Sequence, residues 1–353
     1  MPTGRPISRG ELWQAVDRVP RYRLGHLPTP LEPMRNLSEH LGGPTLWIKR
    51  DDCTGLALGG NKTRHNEFLL GEALAQGADC FVWGAGVQSN NCRQTAAACA
   101  RAGLPIHLIL SRAHSSSDEM QGNLLLDHLL GATIEIVDVP LGHELNALIA
   151  SRAAELREKG RRPFFWNEHE VTEIAAIGYV PCLLEIVEQS IEAGFQPSDI
   201  YVAAAGSTGA GLALGAAALG LDTRVHSMAP IDWPWDTAEY TARIANGAAG
   251  RMSIPHRLAA SDISLSEDYI GPGYGIPGAA CLEALRLVAR TEAILLDPIY
   301  SGKAAAGLID HIRRGDFSPD QNIVFVHTGG MPALFAMNEL LQKEIPPAEP
   351  FAM

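Results

Sequence analysis

The residues that best indicate chemistry are a lysine and the glycines in front of it. Residues 59–64 read GGNKTR and place Lys62 directly before a helical pattern. A lysine that forms an imine must lose its proton near neutral pH, which burial or a nearby cation favours. Glycines let the backbone turn sharply and let a flat ring approach closely. The alternative is a glycine-rich turn that ends in a solvated lysine, because short motifs also occur by chance.

A second glycine-rich turn, GSTGAG at residues 206–211, is typical of an anion site. It joins an apolar strand to an Ala/Leu-rich helix. Backbone N–H groups and the positive end of a helix suit a phosphate dianion, and Ser207 and Thr208 add hydroxyl donors. The alternative is an ordinary turn with a good helix cap. A dinucleotide is less favoured because the glycine order is unusual and no acidic residue ends the next strand at Ala229.

Two more polar turns, QSNN at residues 88–91 and HTGG at residues 327–330, each open a helical pattern. Ser89 and the amides around it suit a carboxylate, although a Ser/Asn helix cap is the favoured explanation of this turn taken by itself. In an open parallel sheet such turns lie on one edge, so they and Lys62 are predicted to meet in one cleft. Tyr274 and Tyr300 lie among glycines; each phenol could relay a proton or be a buried ring with a satisfied hydroxyl.

Composition limits the function classes. The 353 residues carry a formal net charge of −12 and are 46% hydrophobic. The charge argues against nucleic acid or an anionic membrane as partner, and no apolar run suggests a membrane span. None of the six cysteines forms a Cys-x-x-Cys pair, which favours a reducing cytoplasm. The twelve histidines show no metal-site spacing, and Gly-x-Ser-x-Gly is absent.

Short apolar strands alternate with helical patterns from residue 46 to the last strand at residues 322–327. This alternation predicts an α/β fold with a parallel sheet and helices on both faces. A single long helix is predicted over residues 175–193, although it contains Pro181.

Six motifs together resemble those of a known enzyme family. They cover residues 59–64, 88–98, 206–211, 274–277, 296–303 and 327–334, in that order. The set resembles the pyridoxal-phosphate enzymes of the tryptophan-synthase β fold, or fold type II. Within them it is similar to the branch of D-cysteine desulfhydrase and 1-aminocyclopropane-1-carboxylate deaminase. The resemblance extends from about residue 27 to residue 341.

The resemblance implies two open, twisted, mostly parallel sheets flanked by helices, with pyridoxal 5'-phosphate between two domains. The larger, cofactor-binding domain would comprise residues 1–64 and 173–353. Residues 65–172 would form a smaller mobile domain that closes on the substrate and excludes water. A homodimer is also implied.

The resemblance also assigns site residues. Lys62 would bind the cofactor covalently and shuttle a proton at the substrate Cα, Asn90 would bond the ring oxygen, and Ser89 would bind the substrate carboxylate. The other implied contacts are Gly206, Ser207, Thr208, Gly209, Ala210 and Gly211 with the phosphate, Ser301 and Thr328 with the cofactor, and Asn90, Asn91, Tyr274 and Tyr300 with the substrate.

Ser301 and Thr328 decide which of the activities found in this branch, desulfhydrase or deaminase, is expected. The deaminases have glutamate and leucine at these places, and a carboxylate at the pyridine nitrogen favours the deeper electron sink that ring opening demands. A hydroxyl suffices for elimination of a good leaving group. The expected reaction is therefore α,β-elimination, as from D-cysteine to pyruvate, sulfide and ammonia.

Some features keep alternatives open. Asn91 stands where the desulfhydrases usually have histidine, and the phosphate turn has deaminase-like spacing. The deaminase reaction and elimination of another group, such as the sulfonate of L-cysteate, therefore stay alternatives. A nucleotide-dependent oxidoreductase and a non-catalytic binding module are more distant ones. The segment 233–236, WPWD, is either a pocket wall or a surface turn.

Overall fold

The computed structural model describes residues 2–113 and 119–344, in which strands and helices alternate along the chain. The strands are β1 Leu31–Pro33, β2 Thr45–Lys49, β3 Cys80–Gly86, β4 Ile106–Ser111, β5 Thr133–Val137, β6 Pro163–Phe165, β7 Asp199–Ala203, β8 Arg224–Met228, β9 Ser264–Ser266 and β10 Asn322–Val326. The helices are α1 Arg9–Asp17, α2 Arg35–Leu41, α3 Lys62–Ala75, α4 Asn90–Ala102, α5 Gly122–Leu129, α6 His143–Glu158, α7 Glu168–Ile177, α8 Tyr179–Glu192, α9 Ser207–Leu219, α10 Thr237–Arg251, α11 Ala279–Glu292, α12 Ser301–Arg313, α13 Pro332–Ala336 and α14 Asn338–Glu344.

Within the described ranges the strands form two sheets. The larger has the order β1-β2-β10-β7-β8-β9, and its strands are parallel except for the pair β1 and β2. The smaller has the order β5-β4-β3-β6 and is parallel throughout. Parallel neighbours require crossover connections, which the intervening helices supply. The predicted fold class is therefore confirmed, while the domain boundaries and the mobility of residues 65–172 stay predictions.

The predicted single helix over residues 175–193 is two helices, α7 and α8, with Gly178 between them. A Cβ on Gly178 would lie 2.4 Å from the carbonyl oxygen of Arg64, so the glycine permits the close approach of α3. Pro181 lies in the first turn of α8, where a missing N–H costs no helical hydrogen bond.

The run Glu168–Glu192 is the one segment of the described chain that is long and apolar enough to cross a membrane. Its most apolar window has a mean hydropathy of 1.4 and is 78% buried inside the protein. This burial identifies the run as a pair of core helices, which is why its composition resembles that of a membrane span.

A buried ion cluster holds the start of α3. Arg64 is 1% exposed and donates from Nε to Asp51 Oδ2 at 2.8 Å and from Nη2 to Glu185 Oε2 at 2.7 Å. Burial works against the charge of Asp51, but the neighbouring guanidinium holds the pKa of that carboxyl below its usual value. Lys49 Nζ lies 2.8 Å from Glu185 Oε2 and adds a second positive charge. The cluster ties α3, and with it Lys62, to α8 and to the turn after β2.

Candidate active site

A cavity of about 270 Å³ lies where strands of both sheets end. Its lining includes the ends of β3 and β7 and residues that follow β10. It brings together ten residues named from sequence: Lys62, Ser89, Asn90, Asn91, Gly206, Ser207, Thr208, Tyr274, Tyr300 and Thr328. The carboxyl-edge rule for parallel sheets explains why segments so far apart in sequence converge here.

The turn before Lys62 requires its two glycines. Gly59 has φ +67° and Gly60 has φ +121°, backbone conformations that L side chains rarely adopt. A Cβ on Gly59 would lie 1.9 Å from the carbonyl oxygen of Asp52, and one on Gly60 would lie 2.5 Å from Nε2 of Gln94. The glycines thus let the chain turn tightly enough for α3 to begin at Lys62, with its side chain at the cavity.

We expect Gly59→Ala to lower the free energy of unfolding by more than the left-handed backbone conformation alone would cost, because the added Cβ also meets the carbonyl of Asp52. Gly103 is a matched control, because its φ is +70° and a Cβ built there meets no described neighbouring group within 4 Å. Gly103→Ala should therefore cost only the left-handed strain, about 1–2 kcal/mol. Urea unfolding of both variants measures the difference. Equal losses of unfolding free energy would show that the close approach to Asp52 does not constrain this turn.

The amine of Lys62 is unusually easy to deprotonate. Burial lowers its pKa to about 8, and within the described residues no carboxylate forms an ion pair with it. Its Nζ lies 3.4 Å from Nδ1 of His65. Burial, and then the charges of Lys62 and Arg64, hold the pKa of His65 well below its usual value, so the imidazole is neutral. Near neutral pH a larger share of Lys62 amines is therefore neutral than for a lysine with the ordinary pKa.

This lowered pKa predicts the pH dependence of imine formation by the cofactor-free protein. The neutral amine is the nucleophile, so the rate with a small aldehyde should rise with pH and level off above about pH 8. Borohydride trapping followed by peptide mass analysis measures the rate at Lys62. Exposed Lys159 is the internal control, because burial does not act on its amine. Parallel profiles for the two lysines would show that burial does not lower the pKa of Lys62.

The turn at the start of α9 presents donors to the cavity. Because α9 begins at Ser207, the N–H groups of residues 207–209 have no partner one turn back. Oγ1 of Thr208 accepts a bond from Nδ2 of Asn61 at 3.1 Å and lies 3.2 Å from Nε2 of His65. The amide of Asn61 directs the hydroxyl proton of Thr208 away from itself, and the tautomer of His65 decides whether the imidazole donates or accepts. Ser207 instead donates to the carbonyl of Thr172 at 2.9 Å.

The second half of the glycine-rich turn does not reach the lining. A Cβ on Gly209 would lie 2.3 Å from Oγ of Ser227, and one on Gly211 would lie 2.1 Å from the carbonyl oxygen of Ala176. Ala210 is fully buried. These residues are small because α9 packs closely on β8 and α7. Of the six residues assigned to an anion, the structure therefore brings Gly206, Ser207 and Thr208 to the cavity.

The turn at the start of α4 is bound to the lysine turn. Ser89 caps α4, and its Oγ accepts bonds from the backbone N–H groups of Asn91 and Cys92, each at 3.1 Å. Oδ1 of Asn90 accepts bonds from Nη1 of Arg93 at 3.2 Å and from Asn123. The amide group of Asn90 is therefore oriented with its donor end available. Nη2 of Arg93 donates to the carbonyl of Gly59 at 2.8 Å and joins the two turns.

Tyr274 and Tyr300 form a pair at the cavity. Their hydroxyl oxygens lie 2.6 Å apart, and either one can be the donor. Burial raises the pKa of both phenols, so both stay protonated at neutral pH. A pair of protonated phenols in contact can pass a proton along.

Ser301 does not line the cavity, in contrast to Thr328. Its hydroxyl donates to Oδ1 of Asp297 at 2.6 Å and accepts from the backbone N–H of Asp297 at 2.8 Å. Ser301 thus stabilises the start of α12, and its contact with the cofactor stays a prediction from the resemblance. The carbonyl of Thr328 accepts from the backbone N–H of Asn61 at 3.0 Å, which fixes the HTGG turn beside Lys62.

An aromatic wall is the part of the site that sequence reasoning left open. Trp166, Trp233, Trp235 and Tyr240 line the cavity. The segment 233–236 is therefore a pocket wall and not merely a surface turn. It follows the carboxyl end of β8, so the rule that located the other turns could have located this one. We define the aromatic wall by these four residues.

Comparison with known proteins agrees with this geometry. The family model for pyridoxal-phosphate dependent enzymes matches residues 22–329. A protein of Burkholderia vietnamiensis named 1-aminocyclopropane-1-carboxylate deaminase is 38% identical over 337 residues, which are 93% of this chain and 99% of that protein. A protein of the same name from Burkholderia ambifaria is 37% identical over 337 residues, again covering 93% of this chain and 99% of the relative.

Solved structures show the same fold. The crystal structure of a 1-aminocyclopropane-1-carboxylate (ACC) deaminase homologue superposes with a TM-score of 0.87 and 32% identity, covering 95% of this chain and 99% of the other. Diaminopropionate ammonia lyase of Escherichia coli superposes with a TM-score of 0.64 over 96% of this chain and 91% of the other. Because its identity is 15%, the second match supports the fold alone.

Proposed function

The chain belongs to the pyridoxal-phosphate dependent enzymes, and from this premise we propose that it is a lyase that eliminates the β substituent of a small amino acid. D-Cysteine is the proposed type of substrate, with water consumed and pyruvate, hydrogen sulfide and ammonia formed. The observation that carries the proposal is the lining itself. A lysine with a lowered pKa and two protonated phenols share the cavity. Glu168, the one carboxylate that lines it among the described residues, accepts a hydrogen bond from Tyr240 of the aromatic wall.

The residues present fit pyridoxal phosphate. Lys62 offers an amine without an acidic partner in the described chain, as bond formation with an aldehyde requires. The free N–H groups at the start of α9 suit the phosphate. The amide donor of Asn90 suits a ring oxygen. When bound, the cofactor supplies the conjugated ring that accepts electrons from the substrate Cα.

The chain's own residues then have distinct tasks in the proposed reaction. The capped start of α4, with Ser89, binds and orients the substrate carboxylate. Lys62 takes the proton from Cα, since its pKa near 8 suits proton transfer at neutral pH. The Tyr274–Tyr300 pair supplies a proton to the departing group, so that it leaves as a neutral thiol or as hydrogen sulfide.

A panel of D- and L-amino acids with β leaving groups tests the proposal. Purified holoenzyme should release pyruvate from D-cysteine and from 3-chloroalanine, measured by a coupled lactate dehydrogenase assay. Lys62→Ala should release none above the rate with free cofactor. Absence of pyruvate from every member of the panel, in an enzyme that has bound cofactor, would overturn the proposal.

Deaminase activity is the second candidate, and the names of relatives at 37–38% identity favour it. Opening of the cyclopropane ring of 1-aminocyclopropane-1-carboxylate would give 2-oxobutyrate and ammonia. Ser301 stands where the resemblance places the glutamate of the deaminases, and this hydroxyl residue favours elimination instead. Comparison of kcat/KM for D-cysteine and for 1-aminocyclopropane-1-carboxylate in one preparation separates the candidates. The first substrate gives pyruvate and the second gives 2-oxobutyrate, so each activity is measured by its own product.

We further propose that the enzyme is a cytoplasmic homodimer whose domain of residues 65–172 closes over the substrate. The family resemblance supports the dimer and the closure, and six free thiols support a reducing compartment. Analytical sedimentation measures the oligomeric state. Small-angle scattering with and without a non-reacting substrate analogue measures closure.

A further inference from the structure

Three residues of the aromatic wall, Trp233, Trp235 and Tyr240, form a continuous surface along the cavity. The rings of Trp233 and Trp235 stack with centroids 4.8 Å apart and an angle of 9° between their planes. Trp235 also contacts Tyr240, with centroids 5.5 Å apart. The guanidinium of Arg243 lies 5.1 Å from the centre of the Tyr240 ring and supports it. This stacking fixes the indole planes, so they offer a preformed surface to a ligand.

The segment that carries Trp233 and Trp235 is linked to the loop that carries Tyr274. Nζ of buried Lys303 donates to the carbonyl of Pro230 at 3.3 Å and to the carbonyl of Gly273 at 2.8 Å. Lys303 therefore links Pro230, which precedes Trp233 by three residues, to Gly273, the residue before Tyr274. At the other end, a Cβ on Gly206 would lie 3.6 Å from Cε1 of Tyr240. The segment with Trp233 and Trp235 is thus linked through Lys303 to the loop with Tyr274, and Tyr240 reaches the anion turn.

If the enzyme eliminated only a group as small as sulfide, the aromatic wall would have no role in the reaction. The four wall side chains remain partly exposed at the cavity. The indole N–H of Trp235 is buried and has no acceptor among the described residues. A buried donor without an acceptor is unfavourable, so a group that supplies an acceptor or covers the rings is stabilised there.

A fixed negative charge lies next to the wall. The carboxylate of Glu168 accepts from the hydroxyl of Tyr240 and from Nδ2 of Asn146, each at 3.0 Å. In the described ranges no basic side chain pairs with it. The charge disfavours an anionic group at the wall and leaves neutral groups unaffected.

We propose that the aromatic wall is a subsite for the β substituent of the substrate, and that it prefers uncharged aromatic groups bonded to Cβ through sulfur. The proposal rests on the lyase function above. In the reaction the Cβ–S bond breaks with both electrons going to sulfur, which takes up a proton and leaves as a thiol. The remaining carbon skeleton takes up water and gives pyruvate and ammonia.

The first test compares S-benzylcysteine with S-methylcysteine, using both enantiomers and measuring pyruvate. The benzyl substrate should have a kcat/KM about tenfold higher or more, because its ring covers an indole. Trp233→Ala should bring the ratio close to one. Trp13→Ala is the matched control and should keep the wild-type ratio, because Trp13 lies outside the lining and bonds Glu188.

A second test measures binding without turnover. The inhibitor 2-amino-5-phenylpentanoate replaces the sulfur of S-benzylcysteine with carbon, and 2-aminopentanoate lacks the ring. The phenyl compound should inhibit about tenfold more strongly, and Trp233→Ala should abolish the difference. Loss of cofactor affinity in Trp233→Ala with unchanged selectivity would overturn the subsite, since the wall would then serve the cofactor.

The charge of Glu168 is tested with a nearly isosteric substrate pair. S-Carbamoylmethylcysteine should be preferred over S-carboxymethylcysteine, and Glu168→Gln should reduce that preference several-fold. 3-Chloroalanine keeps the two proposals separate. No pyruvate from it or from any other substrate of the panel would refute the lyase function, whereas pyruvate from it with equal rates for the benzyl and methyl substrates would refute the subsite alone.

Discussion

Lys62→Ala is expected to lower kcat by roughly a thousandfold or more, the largest effect of any single substitution in this chain. The change removes both the amine that bonds the cofactor and the base that takes the Cα proton, and general-base catalysis alone is worth about 10²–10⁴-fold. Pyruvate formation with excess cofactor measures the loss. The visible absorbance of the bound cofactor should shift in parallel.

Lys159→Ala is the control for that substitution, because Lys159 is exposed at the end of α6. It should keep both the absorbance and the rate of the wild type. A Lys62→Ala protein that retained a tenth of wild-type kcat would contradict the assigned role of Lys62.

Arg64→Met is expected to lower the free energy of unfolding by about 3–5 kcal/mol. The substitution leaves Asp51 and Glu185 buried with Lys49 as their one nearby cation. Removing one partner of a buried ion cluster is costly because the remaining charges lose their compensation. Urea unfolding of the cofactor-free protein measures the change, so that altered cofactor binding does not contribute.

Arg152→Met is the matched control. Arg152 pairs with Glu135 and Glu155 but is 30% exposed, and exposed ion pairs contribute at most about 1 kcal/mol. A similar loss for the two variants would show that burial does not strengthen the cluster around Arg64. A normal unfolding midpoint for Arg64→Met would contradict its role in holding α3.

Sequence patterns predicted the parallel sheets because the inner strands β3, β4, β7 and β10 are mostly buried and therefore read as short apolar runs. Strand β2 begins one residue before the predicted residue 46, and β10 begins at the predicted residue 322. The three-residue strand β9 gave no such signal. The break between α7 and α8 was also missed, because it depends on the approach of α3 to Gly178 and not on local propensity.

The same contrast holds for the site. The polar turns were predictable since the carboxyl ends of parallel strands share an edge. The packing of Gly209 and Gly211 against neighbouring elements was not, because small residues serve anion turns and close helix contacts equally well. Nor does sequence show that the hydroxyl of Ser301 is bonded to Asp297. The aromatic wall depends on tertiary contacts of Trp235 with Trp233 and Tyr240.

Borohydride reduction of the holoenzyme, followed by proteolysis and peptide mass analysis, tests most directly whether Lys62 carries the cofactor. Reduction converts the imine to a stable amine, so the modified lysine keeps the cofactor's mass. The cofactor should be found on the peptide that contains Lys62, in near-stoichiometric amount, and be absent from the peptide with Lys159. Cofactor on another lysine, such as Lys49 or Lys303, or on none, would contradict the assignment.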